Sequence, residues 1–353
     1  MSRKPIGLIL CGLGRMGLIH LDNVIHNPNV ELLYVVESNL SHANQVLTKN
    51  NLNNVTVVHC DEIEKAFTDP LVEGVIICTP TDKHEPYLKL ALKTGKHILC
   101  EKPIAIGLDT VMSCYREAKD KGLVLLCAFN RRFDPQLYKM REQRHTVGPI
   151  HSVKICSRDS PRPSIDYLKI SGGIFHDCLI HDLDMLRWIL EEDPVTVYTT
   201  AHTFDPEIKA LDDYDTVFVV LKFPCGVIAH IDASRHCVFG YDQTVQIYGE
   251  KGNIISDNPL KSGLIRNGGA ERDEIFYSFP TRYAAAYQEE LKHFVDLIKG
   301  TTSVSRVKPS DTLRATYLCE AVEESCRTGK VINVPSFFQN LFKGKTDDPL
   351  LNE

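Results

Sequence analysis

Asp177 and His181 stand four residues apart in the stretch GGIFHDCLIHDLDMLRW (172–188), and Asp184 follows three residues later. A carboxylate and an imidazole at that spacing could bind a metal ion, handle a proton, or form a wet helix face. An imidazole titrates near neutrality, so it can accept a hydroxyl proton, and a neighbouring carboxylate can orient the ring or tune its basicity. The metal reading needs further ligands of compatible direction, and no Cys/His cluster elsewhere in the sequence supplies them. No metal site is expected. On a wheel of about 100° per residue, Leu179, Leu183, Leu186 and Leu190 make one stripe; Asp177, His181, Asp184 and Trp188 make another, nearly opposite. Trp188 on the second stripe argues against full exposure. His176 and Asp182 point to the sides.

Two other places carry chemistry. CGLGRMG sets Gly12, Gly14 and Gly17 as GxGxxG between an apolar run and a helical pattern, and Glu37 closes the next apolar run. Glycines there let backbone amides approach a pyrophosphate at the positive end of a helix. A carboxylate at the second strand end accepts from adenosine ribose hydroxyls and repels a 2'-phosphate, which favours NAD over NADP. Arg15 and Ser38 leave NADP open, because either could meet a phosphate. The third place is HILCEKPIA, where Lys102 lies between Glu101 and Pro103 at the carboxyl end of a predicted strand. A lysine there can stabilise negative charge developing on a substrate oxygen. It can equally be a solvated surface lysine.

The elements that would hold these groups follow from the apolar runs. IGLILC, VELLYVVE, VTVVHC, GVIICT, HILCE and LVLLCAF alternate with helical patterns through the first 128 residues. Runs without polar alternation suit parallel strands buried on both faces. The fold class expected is α/β: a doubly wound Rossmann sheet in residues 1–128, then an α+β domain in 129–353 with a large, mainly antiparallel open sheet. In the second half, VTVYTTAHTF, DTVFVVLKFPCGVIAHIDASRHCV and TVQIYGEKGNIIS read as strands and hairpins. YAAAYQEELKHFVDLIKG reads as an amphipathic helix with Tyr287, Leu291, Phe294 and Ile298 on one side, and a later helix is expected to be capped by Ser310 or Asp311.

The totals narrow the classes. Charged residues make up 24% and the net charge is -6, so neither nucleic acid nor an acidic membrane surface is an expected partner. No apolar run is long enough for a bilayer, and the twelve cysteines form no CxxC pair or disulfide pattern. A cytoplasmic protein with reduced thiols is expected.

CGLGRMG, CTPTDKHEPY, EKPIA, FNRRFDP, SRDSP, GGIFHDCLIHDLDML, GYDQTVQIYGEKG and RYAAAYQEEL occur in this order over nearly the whole chain. On these motifs the chain resembles the Gfo/Idh/MocA oxidoreductases, and within them the inositol 2-dehydrogenase group. The resemblance implies a catalytic set of Lys102, Asp177 and His181. It implies an NAD site drawn from Gly12, Gly14, Arg15, Met16, Glu37, Thr79, Pro80, His84, Glu101 and Lys102. Asn130, Arg131, Asp159, Tyr241 and Tyr283 become candidates for binding a small polyol or sugar. Of the adjacent Arg131 and Arg132, only one could face the cleft in extended chain, the other anchoring structure. A homodimer or homotetramer through the second sheet is implied as well. Another sugar or sugar-derivative dehydrogenase or reductase of the same family is the nearest alternative; a non-catalytic dinucleotide sensor is the rival from a different class, although a sensor has no need of a proton relay.

Overall fold

The computed structural model describes residues 4–262, 265–266, 271–342 and 348–352. They fall into two compact units, one running to Asn130 and including Tyr287–Ser310, the other made of Arg131–Ala286 and Asp311–Asn352.

The first unit is built on six parallel strands: β1 (Ile6–Cys11), β2 (Val30–Val36), β3 (Thr56–Val58), β4 (Val72–Ile77), β5 (His97–Cys100) and β6 (Leu125–Cys127). Their order, β3-β2-β1-β4-β5-β6, is that of a doubly wound dinucleotide fold. The six residues of β1 are all buried, because helices cover both sheet faces. The chain crosses over through α1 (Arg15–Ile25), α2 (Leu40–Lys49), α3 (Glu64–Phe67), α4 (Thr81–Lys93) and α5 (Leu108–Asp120).

The first compact unit runs to Asn130 and takes in the late segment Tyr287–Ser310. Phe294 and Ile298 carry atoms that a side chain at Gly74, in β4, would meet at 3.4 Å. The apolar side of the late amphipathic helix (Ala284–Ile298) therefore packs in the first unit from Tyr287 onward, although it lies far along the chain.

The second unit carries a seven-stranded sheet. Its strands are β7 (Ile150–Arg158), β8 (Thr196–His202), β9 (Thr216–Lys222), β10 (Ile228–Ser234), β11 (Asp242–Gly249), β12 (Gly252–Ser256) and a last short strand, Ile332–Asn333. Every neighbouring pair runs antiparallel except β7 with β10. The register puts Val153, Ile155, Val219, Ile231 and Ile247 on one buried face. The opposite face presents Tyr198, Phe218, Val220, Ile228, Tyr248 and Ile255, all exposed. Strict alternation in β9 records this one-sided burial.

The helix after residue 308 begins at Pro309, so the expected caps Ser310 and Asp311 lie inside its first turn. No described helix is long and apolar enough to cross a membrane.

Candidate active site

In the first unit the site is made mostly of backbone. Gly12 has φ +89°, a conformation open to glycine, and a Cβ on Gly17 would lie 2.0 Å from the Gly12 carbonyl oxygen. Gly17 is therefore needed for close packing of α1 against the turn. A Cβ on Gly14 would meet nothing within 4 Å. The space beside Gly14, at the mouth of α1, is open for a pyrophosphate, with the exposed Arg15 and half-buried Met16 beginning the helix.

Glu37 follows β2. Its carboxylate accepts from the Leu13 amide at 2.8 Å, the Asn39 amide at 3.0 Å and the Ser38 hydroxyl at 2.9 Å. Burial works to raise its pKa, but these hydrogen bonds outweigh burial and leave it below the ordinary value. Glu37 stays ionised, which suits a hydrogen-bond acceptor at this strand end. The Thr79 hydroxyl is buried without a partner among the described residues. An open cradle at Gly14, an ionised strand-end carboxylate and an orphaned hydroxyl together fit NAD.

Glu101 and Lys102 follow β5. The Glu101 carboxylate lies 2.8 Å from Nε2 of the fully buried His20, so its near partner is a side chain of α1. Pro80 is exposed at the start of α4, whereas His84 is buried in the first turn of that helix. Asn130 is buried at the end of the unit.

In the second unit the opening motif folds differently from the wheel. Phe175–Leu179 is a single π turn, and the α-helix α8 runs only over Ile180–Leu190. A π turn adds a residue to the spiral, so Asp177 is displaced from the stripe that an unbroken α-helix would give it. The polar positions are not a solvated face, since Asp177, Asp182 and Asp184 are all buried.

Each carboxylate has its own cation. Asp182 pairs with Arg131. Asp184 takes Arg132 in a two-pronged contact, Nη2 at 2.6 Å and Nε at 2.9 Å, while Arg132 Nη1 reaches Asp311 at 2.7 Å. Both arginines are buried, Arg132 as an anchor between Asp184 and Asp311. The two are carried by a 3-10 turn, Asn130–Phe133, rather than by extended chain.

Asp177 is gripped by two residues that the sequence had not singled out. Tyr167 donates its hydroxyl to Oδ1 at 2.7 Å, and Arg235 donates Nη1 to Oδ2 at 3.0 Å. The other arm of Arg235 donates to Asp213 at 3.0 Å. Asp213 in turn accepts from the Ile174 and Tyr214 amides, tying the segment before the π turn to the same network. Burial acts against the charge on Arg235, but Cys178, Asp177 and Asp213 raise its pKa above the usual value. One sequence signal was available: Arg235 directly follows β10, a strand end like that of Lys102. His181, one turn on, is half-buried.

The substrate candidates Arg131, Asp159, Tyr241 and Tyr283 belong to this unit, and Tyr241 feels the charges of both Arg131 and Asp159. Asp159 accepts from the Cys178 thiol at 3.4 Å, and burial, with Asp177 adding, raises its carboxyl above the ordinary range. Tyr241 and Tyr283 meet edge to face with centroids 6.0 Å apart, and the Arg131 guanidinium lies 5.8 Å from the Tyr283 ring. Burial raises both phenols, so they remain neutral hydrogen-bond donors.

A Rossmann sheet with an ionised carboxylate at its second strand end, and a lysine after the strand beside the switch point, are features of a nicotinamide-dependent oxidoreductase. Residues 6–129 match the oxidoreductase family with an NAD-binding Rossmann fold, and residues 139–255 match the Gfo/Idh/MocA C-terminal domain. The chain belongs to the Gfo/Idh/MocA oxidoreductase family. It is 34% identical to an inositol 2-dehydrogenase of Rhizobium meliloti, over 92% of this chain and 98% of the relative. It is 35% identical to a myo-inositol 2-dehydrogenase of Thermotoga maritima, over 84% and 88%. The crystal structure of a myo-inositol dehydrogenase from Corynebacterium glutamicum superposes with a TM-score of 0.83 at 33% identity, covering 93% of this chain and 98% of the other.

Proposed function

We propose that the protein oxidises a secondary hydroxyl of a cyclitol to the ketone with NAD, as an inositol 2-dehydrogenase does. The observation carrying this reading is the buried Asp177, fixed by Tyr167 and Arg235 one turn before the half-buried His181. The relatives named inositol 2-dehydrogenases support the substrate class.

When bound, NAD supplies the hydride acceptor; Gly12, Gly14, Arg15, Met16, Glu37, Thr79 and Pro80 would hold it. The His181 imidazole takes the hydroxyl proton as the alcohol carbon gives up its hydride. Asp177 keeps the ring oriented, and with its charge already shared by Arg235 it acts as an orienter rather than a second base. The Lys102 ammonium stabilises the alkoxide-like oxygen. Asp159, Tyr241 and Tyr283 offer hydroxyl-bonding groups that suit a polyol better than an apolar ketone.

The exposed apolar face of the second sheet would pair with that of another copy, giving the homodimer or homotetramer. None of the twelve cysteines is in a disulfide, which suits a reducing compartment such as the cytoplasm.

The test is reduced-nicotinamide absorbance with purified protein, NAD or NADP, and a panel of inositol isomers and aldoses. Turnover of an inositol with NAD is expected, with His181→Ala slower by about a hundredfold or more. Turnover of aldoses alone would move the substrate elsewhere in the family. Cofactor binding without oxidation of any polyol, or reduction of any ketone, would favour a dinucleotide sensor.

A further inference from the structure

His84 makes a bridge between two strand ends. Its ring is 1% exposed; Nε2 lies 2.8 Å from the Thr79 carbonyl oxygen and Nδ1 lies 2.9 Å from that of Pro103. Thr79 stands just beyond β4 and Pro103 just beyond β5. These neighbouring strands pair as far as Ile77 with Cys100, followed by one more bond from the Glu101 amide to the Ile77 carbonyl at 3.0 Å. Past that point the two chains leave the ladder, one carrying the orphaned Thr79 hydroxyl and the other carrying Lys102. His84 reaches both because it lies in the first turn of α4, and helical side chains lean toward the N-terminus.

Both ring nitrogens are engaged by protein groups: Nε2 by the Thr79 carbonyl, and Nδ1 by the Pro103 carbonyl with the Cys100 thiol 3.6 Å away. No polar atom of the ring is left over for the cofactor. We propose that His84 is a positioning residue: it ties the Thr79 loop to the Glu101–Lys102–Pro103 turn and thereby holds Lys102 in place for the reaction. This replaces the expectation that His84 contacts NAD, and it rests on the oxidoreductase reading for the role of Lys102. Glu101, held at 2.8 Å by His20, anchors the same turn from α1.

A double-mutant cycle with Lys102→Met tests the bridge, joined by two measurements that need no turnover. In His84→Ala, kcat at saturating NAD and cyclitol should fall about tenfold or more, since small displacements of catalytic groups are costly. The NAD dissociation constant should stay within about threefold, because both ring nitrogens are engaged by protein carbonyls. His84→Gln, with its donors on one nitrogen, should recover part of the rate. Adding His84→Ala to Lys102→Met should cost no more than about a further twofold, as expected of residues acting through one another. Hydrogen exchange of the cofactor-free protein should be faster in the peptide spanning 101–107 of His84→Ala, with the sheet core unchanged.

Additive losses in the cycle, a loss confined to NAD affinity, or unchanged exchange at 101–107 would each overturn the bridge. Should His84→Ala fail to fold, His84→Gln carries the same measurements. If the wild type oxidises no polyol, the proposed function fails by itself, and exchange and NAD affinity decide the bridge.

Discussion

The first unit buries Lys96, His84 and Glu290; the second buries Arg131, Arg132, Arg235 and Arg282. They solve the problem of a buried polar head in different ways. Lys96 Nζ donates to the carbonyl oxygens of Asp69 and Val72 at 2.9 and 2.8 Å, and His84 meets two carbonyls likewise. Burial, with Glu101 adding, pushes the Glu290 carboxyl well above the carboxylate range, so it sits there as a neutral acid. In the second unit Arg282 meets Asp134 at 2.7 Å, Arg132 meets Asp184, and Arg235 bridges Asp177 and Asp213. A parallel sheet offers free carbonyls at its strand ends, so that unit can use backbone. The helix α8 is covered on nearly every side and must bring counter-charges from other elements.

Breaking this contrast should be most costly at Arg235. Replacing it with Met leaves two buried carboxylates without their shared cation, a loss of about 3–5 kcal/mol. Urea denaturation measures it, and dehydrogenase activity should be lost even at temperatures where the variant is folded. A cost below about 1 kcal/mol would mean that the buried ions behave like surface pairs.

The backbone-built side is sharpened by two alanines. Gly17→Ala drives a Cβ into the Gly12 carbonyl and should destabilise by about 1–3 kcal/mol or more. Gly14→Ala meets open space at φ -68°, so its melting temperature should match the wild type. Its NAD affinity should nonetheless fall about tenfold, because the methyl group occupies the phosphate approach. Equal stability losses for the two would show that the turn has no separate packing and binding glycines.

The same contrast decides what could be read in advance. All six strands of the first sheet were legible, because burial on both faces leaves apolar runs. The glycine turn was legible because its chemistry is local. Asp177 and His181 stood out by type and spacing, but the residues that hold Asp177 did not. Tyr167 lies 10 residues before it and Arg235 58 after, and no local pattern marks such a pairing. Two further features escaped for physical reasons. The central strand β7 carries Ser152, Lys154 and Ser157 among its apolar residues and was not among the stretches read as strands. The π turn has no signature in a periodic wheel, since it is a break in the period itself.

His293 gives the mildest way to sharpen the comparison, since the first unit deals with it by keeping it neutral. It is buried, and its Nε2 accepts from the Arg306 amide at 3.1 Å. Burial first, then the Arg306 charge and Lys292, lower its pKa to about 4, with Asp296 opposing. An unfolded histidine titrates near 6.5, so between about pH 6.5 and 4 the unfolded chain binds the proton more readily. Stability should therefore be intact above about pH 6.5, fall as the pH drops toward 4, and level off below, by a total on the order of 3 kcal/mol. Glu290 acts in the opposite sense, because its raised pKa favours the folded state as the pH falls. That contribution is common to the wild type and His293→Gln and cancels in their difference. Urea midpoints at pH 7 and 5 should show the wild type losing about 2 kcal/mol more than the variant. Equal losses would mean that His293 takes up its proton in the folded state, a second buried cation in this unit beside Lys96.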